Sequence, residues 1–420
     1  MNSAKTQLSV AIAGVSLAIT LAGCSGGSSS SSTSASAASG SAGVSASASA
    51  ASTAFTPDVQ AQLQKALDEV RVKFKAPGVL AGVWTNNGEW IGISGVAKAG
   101  TTQPPTPDDH TRIGSITKTM TATVILQLIE AGKLSFDDVV DKYVPGMPNG
   151  STATIKNLLE MQSGIPSYTA DAANVNVWAA DPTKAFTPQQ LVDSVKTTPA
   201  MFAPGTNMFY SNTNYVLLGM IIEKVTGRPI VENFSERLFK PLGMNQSSVP
   251  GTSTDLPSPY WSGISTQADP NGTIKNATNW NPSFAFTAGE VISTLDDLHT
   301  WGVALGTGKG ILKPETQQLR VDSVKSTVGM NTPDYSYGMG VVNLNGWLGH
   351  TGEIPGYNTI LNYQPATGTT VVVMVNSDIT VPANPTPEVP RPAAPAVAGF
   401  EGIAKVLSAA GSASPSPSAS

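Results

Sequence analysis

Ser115 and Lys118 stand three residues apart in "RIGSITKTM", at the entrance to a long apolar run. On a helix that spacing puts both side chains on one face, so the lysine nitrogen can reach the serine hydroxyl. A hydroxyl is a weak nucleophile until a neighbouring base takes its proton, and the helix N-terminus adds positive potential at the same point. The pair is consistent with nucleophilic chemistry, although Ser-x-x-Lys alone is equally a piece of solvated helix surface. Two other stretches carry reactive side chains. In "FYSNTNYVLLG", Tyr210-Ser211-Asn212 precedes a second apolar helix and supplies a phenol as another candidate base. In "GHTGEIPGYNT", His350-Thr351-Gly352 ends a strand before a turn.

The elements that must position these groups follow from hydrophobic pattern and turn chemistry. Thr56-Pro57 reads as an N-cap with proline at the first helical position. Val59, Leu63, Leu67, Val70 and Phe74 then recur at helical spacing. "GVLAGVWT" and "EWIGISGVA" predict two strands joined through Asn86-Asn87-Gly88. From about Ser115 to Leu242 the chain reads as helical, and "TATVILQLIEAGKL" is apolar enough to be buried on most sides. Thr187-Pro188 and Gly227-Arg228-Pro229 punctuate the later helices. Strands return in "YSYGMGVVNL", "GWLGHTG", "YNTILNYQ" and "TTVVVMVNS", the last two joined by the turn Pro365-Ala366-Thr367-Gly368. Proline-rich residues 381–395 lead to a final amphipathic segment, "VAGFEGIAKVLSAA". Strands at both ends with helices between predict an α+β fold. One antiparallel sheet would be flanked by helices, with a mostly helical region inserted and the active site at the junction.

With 420 residues, 40% of them hydrophobic, the chain can build a substantial core, and a net charge of −5 offers no basic field for nucleic acid. Three histidines and one cysteine leave no metal-spaced cluster and no intrachain disulfide, so neither metal nor other cofactor is expected. Lys5 precedes "LSVAIAGVSLAITLAGC", a run too short and too rich in small residues for a comfortable membrane span. It ends in Leu21-Ala22-Gly23-Cys24, which is similar to a bacterial lipobox. That resemblance implies cleavage before Cys24 and acyl chains on it that anchor the protein to the membrane of the bacterial cell envelope, facing outward. The expected organisation is a lipoprotein signal peptide over 1–23 and a Ser/Ala/Gly-rich tether over 24–54. A single folded domain follows over 55–410, then a disordered tail over 411–420.

Ser115-x-x-Lys118, Tyr210-x-Asn212 and His350-Thr351-Gly352 each occur once, in that order. Together they resemble the three motifs of penicillin-recognising serine hydrolases, above all the secreted D-alanyl-D-alanine carboxypeptidases that carry His-Thr-Gly. Class C β-lactamases and related esterases are cousins. "LQLIEAGKLSFDDVVDKYVPG", "NTNYVLLGMIIEKVTG" and "TAGEVISTLDDL" extend the likeness from about Phe55 to the final amphipathic segment. The resemblance implies that Ser115 is the nucleophile of an acyl-enzyme and that Tyr210, as phenolate or through Lys118, is the general base. It implies that Lys118 lowers its neighbours' pKa and shuttles the proton, and that Asn212 binds the substrate amide. The main-chain N–H groups of Ser115 and Glu353 would form the oxyanion hole. A phenol with an ordinary pKa of ~10 needs nearby cations to act as a base at neutral pH.

One departure bears on substrate. The carboxypeptidases carry an arginine cluster shortly before His-Thr-Gly that grips the substrate carboxylate, whereas "GMGVVNLNGWLG" has no cation. His350, with an ordinary pKa of ~6.5, is then expected to meet that carboxylate in its protonated form, together with the Thr351 hydroxyl. The leading expectation is D-alanyl-D-alanine carboxypeptidase-type hydrolysis of a peptidoglycan-type peptide. A promiscuous esterase or β-lactamase acting on a small acyl or ester substrate stands second, and a non-catalytic peptidoglycan-binding lipoprotein on the same scaffold third. No serine of the 55–410 domain sits in a Gly-x-Ser-x-Gly elbow, which argues against an α/β-hydrolase. His110 and His299 read as surface or packing residues.

Overall fold

The computed structural model describes residues 55–381 and 394–412. The expected signal peptide, Cys24, the tether, most of the proline-rich stretch and the tail beyond Ser412 lie outside the described residues.

Helix α1 (Pro57–Phe74) starts where the sequence places it, with Thr56 Oγ1 accepting from Val59 N at 3.3 Å. Its buried stripe is Leu63, Leu67, Val70 and Phe74. Seven strands make one antiparallel sheet. They are β1 (Gly78–Thr85), β2 (Gly88–Gly95), β3 (Tyr335–Tyr337), β4 (Val342–Leu344), β5 (Trp347–Ile354), β6 (Tyr357–Gln364) and β7 (Thr369–Val375). Their spatial order is β2-β1-β7-β6-β5-β4-β3. The first hairpin is thus closed against the last strand, Val79 facing Val375 and Trp84 facing Thr370. The C-terminal helix (Pro395–Ser412) packs beside α1 on one face of the sheet, and a helix over Leu295–Thr307 covers β6 and β7 from the other. Strands β1 and β7 are therefore buried on both faces and read as unbroken apolar runs.

The inserted region centres on α2 (Thr117–Glu130) and α3 (Asn212–Thr226), which pack on each other. Every residue of α2 from Thr117 to Leu126 is buried. Its threonines stay satisfied there by bonding within the fold: Thr119 Oγ1 donates to Ile116 O at 2.7 Å and accepts from Trp301 Nε1 at 2.7 Å. Thr123 Oγ1 donates to Thr119 O and accepts from Arg320 Nη2, each at 2.7 Å. Between α2 and α3 the helices are short and separated by long irregular connections, so the helical reading of this region was too continuous.

"YSYGMGVVNL" is not one strand. It folds back as the β3–β4 hairpin, with Gly338 N donating to Val341 O at 2.9 Å and Gly340 at φ +72°. The hairpin tip lies so close to α2 that a Cβ at Gly340 would stand 2.3 Å from Ala122 Cβ. Among the described residues no helix is long and apolar enough to cross a membrane.

Candidate active site

Ser115 lies in a single 3-10 turn, Gly114–Ile116, that runs directly into α2. Gly114 has φ +54°, and a Cβ there would stand 2.5 Å from Glu353 N on β5. From the other side, a Cβ at Gly352 would stand 1.9 Å from Ile113 O. The turn and the strand therefore touch backbone to backbone, and two glycines are the condition for it. This contact is the junction of sheet and helical region.

One turn further, Lys118 is completely buried. Its Nζ lies 2.8 Å from Ser115 Oγ and donates to Ala288 O at 2.6 Å. Ala288 is held by its own segment, where Thr287 O accepts from Thr121 Oγ1 and Thr287 Oγ1 donates to Tyr215 O, both at 2.8 Å. Burial holds the Lys118 pKa well below the ordinary lysine value.

Tyr210 is partly buried, its hydroxyl hydrogen-bonded to that of Ser115 and its ring centroid 4.9 Å from Lys118 Nζ. Burial pushes this phenol well above its ordinary value, and the Ser115 hydrogen bond opposes the shift only in part. Tyr215, Tyr335 and Tyr168 push in the same direction as burial. Burial thus disfavours the charged form of both groups that flank Ser115 Oγ, the Lys118 ammonium and the Tyr210 phenolate. A resting phenolate, one of the two forms expected, is disfavoured because the surroundings that strip Lys118 of its proton also penalise a phenolate.

The Tyr210 ring is packed by Tyr337, edge to face at 5.9 Å, and by His350 at 6.1 Å. His350 is 2% exposed. Its Nδ1 donates to Thr351 O at 2.5 Å, which leaves Nε2 to accept from Tyr337 Oη at 3.3 Å. Burial, then the nearby Lys118, lower its pKa to about 3. The expectation of a protonated His350 gripping a substrate carboxylate is thus corrected. His350 is neutral and stands behind Tyr210, and neither it nor Thr351 lines the cleft.

Asn212 and Glu353 do line it, in a solvent-open space of about 460 Å³ that also exposes Ser115. One wall is aromatic: Phe284 packs on Tyr168 at 5.3 Å and on Trp178 at 5.4 Å. Asn212 Nδ2 donates to Thr169 Oγ1 at 2.9 Å, and Asn212 N donates to Ser167 Oγ at 3.1 Å. Sequence reasoning missed Tyr168, Trp178, Phe284, Gln267 and Ala288. None belongs to a motif, and tryptophan was read as core, which Trp178 at 1% exposed also is. Gln267 Nε2 donates to Glu353 Oε1 at 3.2 Å and to Asp378 Oδ2 at 2.6 Å. Desolvation, then the neighbouring Asp378, push the Glu353 carboxyl up to about 8, while desolvation raises Asp378 to about 7. Among the described residues no set of His, Cys, Asp and Glu is grouped to hold a metal ion.

Sheet, inserted helices and the Ser115 cluster are those of the β-lactamase and penicillin-binding fold, a scaffold of serine hydrolases. The sequence agrees: residues 61–389 match the family described as Beta-lactamase, and the chain belongs to that family. It is 31% identical over 269 residues to PbpX of Bacillus subtilis (strain 168), whose name places it among penicillin-binding proteins. That match spans 63% of this chain and 61% of the length of that curated relative. Among solved structures, a D-stereospecific amidohydrolase from Streptomyces sp. superposes with a TM-score of 0.69 at 34% identity, over 76% of this chain and 94% of that one. The D-amino acid amidase from Ochrobactrum anthropi SV3 superposes with a TM-score of 0.69 at 25% identity, over 84% and 99% respectively.

The raised Glu353 carboxyl makes stability pH-dependent. Its folded pKa of about 8 lies above the ordinary 4.5, so its contribution is fully present below the unfolded value and is lost as pH rises through about 8. Glu353→Gln removes that loss. The melting temperature of the variant relative to wild type should rise steadily from pH 5 to pH 9 in a thermal-shift series. A difference that stays flat with pH would contradict the assignment.

Proposed function

We propose that this chain is a serine amidohydrolase that cleaves amide bonds of D-amino-acid derivatives through an acyl-enzyme on Ser115. The observation that carries the reading is the placement of Ser115 Oγ between the buried Lys118 amine and the Tyr210 phenol. As Oγ bonds to the substrate carbonyl carbon, its proton passes to Lys118 Nζ. The oxyanion is received by the main-chain N–H groups of Ser115 and Glu353. Tyr210 gives its proton to the leaving nitrogen and regains one from Lys118, and the C–N bond breaks. A water then attacks the acyl carbon, losing a proton to the same pair, and Ser115 leaves as a hydroxyl. Asn212, tied through Nδ2 to Thr169, offers its Oδ1 to a substrate amide N–H.

The reading of the leaving group rests on charge. Among the described residues no lysine or arginine lines the cleft at Ser115: Lys118 is behind Ser115, and Arg112 lines only the adjoining recess beyond Trp178 and Phe284. That favours an amide or other uncharged terminus over the free carboxylate of a D-alanyl-D-alanine peptide, and the names of the two structural relatives, an amidohydrolase and an amidase, point the same way. Peptidoglycan-type peptides stay within the class through their D-configured amide bonds. With the serine, lysine and tyrosine all in place, a non-catalytic binder is not favoured.

The test is a kinetic comparison. N-acyl-D-alanyl-D-alaninamide should be cleaved at least ~10-fold faster, as kcat/KM, than the same peptide with a free carboxylate, the scale of one interaction with a charged group. L-configured analogues should be poor substrates, and Ser115→Ala should be inactive. A preference for the free carboxylate would restore the carboxypeptidase reading, and turnover that survives Ser115→Ala would overturn the mechanism.

We also propose that a lipid on Cys24 holds the chain at the outer face of a bacterial membrane. The support is the Leu21-Ala22-Gly23-Cys24 run after a Lys5-led apolar segment. In a bacterial host the protein should fractionate with membranes and Cys24→Ala should become soluble. An unchanged distribution of the variant would contradict the anchor.

A further inference from the structure

Packed rings hold the face of the Tyr210 phenol, but its main chain must be held too, because Tyr210 precedes the cap of α3 and lies outside that helix. The residue that meets this segment is Met161, wholly buried and two residues beyond the short helix Ile155–Leu159. Met161 O accepts from Phe209 N at 2.9 Å, and Met161 Sδ accepts from Ser211 N at 3.3 Å. One residue thus takes the main-chain N–H on each side of Tyr210. The same sulfur accepts from Asn214 Nδ2 at 3.6 Å, in the first turn of α3. A thioether is a weak acceptor. Ser211 and Asn214 are fully buried, however, and a buried donor left unmet is costly, so even a weak bond counts there.

The backbone of Met161 sets it apart from ordinary core. Its φ is +59°, a left-handed conformation that glycine adopts freely and methionine only under strain. Such a residue persists where its surroundings over-determine it. Here Gln162 O accepts from Gly205 N at 2.9 Å, Ser163 O from Asn149 Nδ2 at 2.9 Å and Gly164 O from Met201 N at 2.8 Å. Glycine at position 161 would supply the same carbonyl without strain, but no sulfur. We propose that Met161 is a positioning residue that clamps the main chain on both sides of Tyr210 and so aims the phenol at the leaving nitrogen. The inference rests on the amidohydrolase reading and deepens its proton-donation step. Ser115 and Lys118 take their places from α2 and Ala288, and Asn212 is tied separately to Ser167 and Thr169.

The test compares two leaving groups through kcat/KM, which reports acylation. The amine of N-acyl-D-alanyl-D-alaninamide must be protonated to leave, whereas a p-nitrophenyl ester of N-acyl-D-alanine releases a stable anion. Met161→Leu should lower the amide value by about 10- to 100-fold, the scale of a misplaced general acid, and the ester value by less than about 3-fold. Met161→Gln, which restores an acceptor on a chain of similar length, should recover most of the amide rate. Tyr210→Phe should show the same split between amide and ester. A loss shared equally by both substrates, as damage to the fold or to the Ser115–Lys118 pair would give, overturns the inference, and so does an amide rate unmoved in Met161→Leu. If Met161→Leu fails to fold, Met161→Gln decides: an amide-to-ester ratio within about 3-fold of wild type supports the clamp, and a larger fall overturns it. Wild type separates the two levels. If its Ser115 is labelled by a fluorophosphonate and it cleaves both substrates, a failed split sinks this inference alone. If it cleaves no amide, or turns over without Ser115, the amidohydrolase reading falls and takes this one with it.

Discussion

Lys118 is buried completely, its nitrogen held between Ser115 Oγ and Ala288 O and, among the described residues, in no ion pair. Desolvating an unpaired ammonium costs several kcal/mol even after relaxation, and the cheaper state is the neutral amine. That one constraint sets the character of the site. A neutral amine 2.8 Å from a hydroxyl can accept its proton, whereas a solvated lysine at the same distance cannot. The fold exacts the dry position by packing α2 from all sides, with Trp301, Arg320 and the Thr287 segment satisfying its polar atoms.

The second requirement is that Ser115 stay fixed relative to the strand that receives the oxyanion. Side chains could not do this with equal rigidity, because they have rotamers to lose. Gly114 and Gly352 instead let the main chains of the turn and of β5 meet directly. Tyr210 is located by a different device, a packed set of rings in which Tyr337 and His350 face it and Tyr337 Oη bonds to His350 Nε2, while Tyr215 Oη donates to Leu159 O. The histidine of His-Thr-Gly thus acts on the phenol's position and not on solvent-borne charge. Around this rigid floor the cleft is walled by Tyr168, Trp178 and Phe284 and bordered by Asn212, Gln267 and Glu353.

Some of this was legible in the residues alone. Thr56-Pro57, Asn86-Asn87-Gly88 and the apolar run of α2 carry local signals, and the elements appear where those signals stand. Ser115 and Lys118 were legible as a pair because helical spacing dictates their contact. The β3–β4 hairpin was missed although Gly338-Met339-Gly340 marked it, because alternation in the flanking residues resembled one continuous strand. His350 was misjudged for a deeper reason. Alternation along β5 says that it and Thr351 face opposite ways, but which face is buried depends on Tyr210 and Tyr337 arriving from elsewhere. Gln267, Glu353 and Asp378 were invisible as a group for the same cause. They come from three separated segments, and nothing local announces that one amide will bridge two acids.

The claim on which the rest depends is that Lys118 is a neutral base at physiological pH. It is tested most directly by the rate at which a fluorophosphonate acylates Ser115, measured from pH 4 to pH 11. The rate reports the unprotonated amine. The account predicts a rise whose midpoint lies well below the ordinary lysine value of 10.5, with a plateau above it. A rate that is still climbing through pH 10 would show an ordinary, solvated lysine and would contradict it.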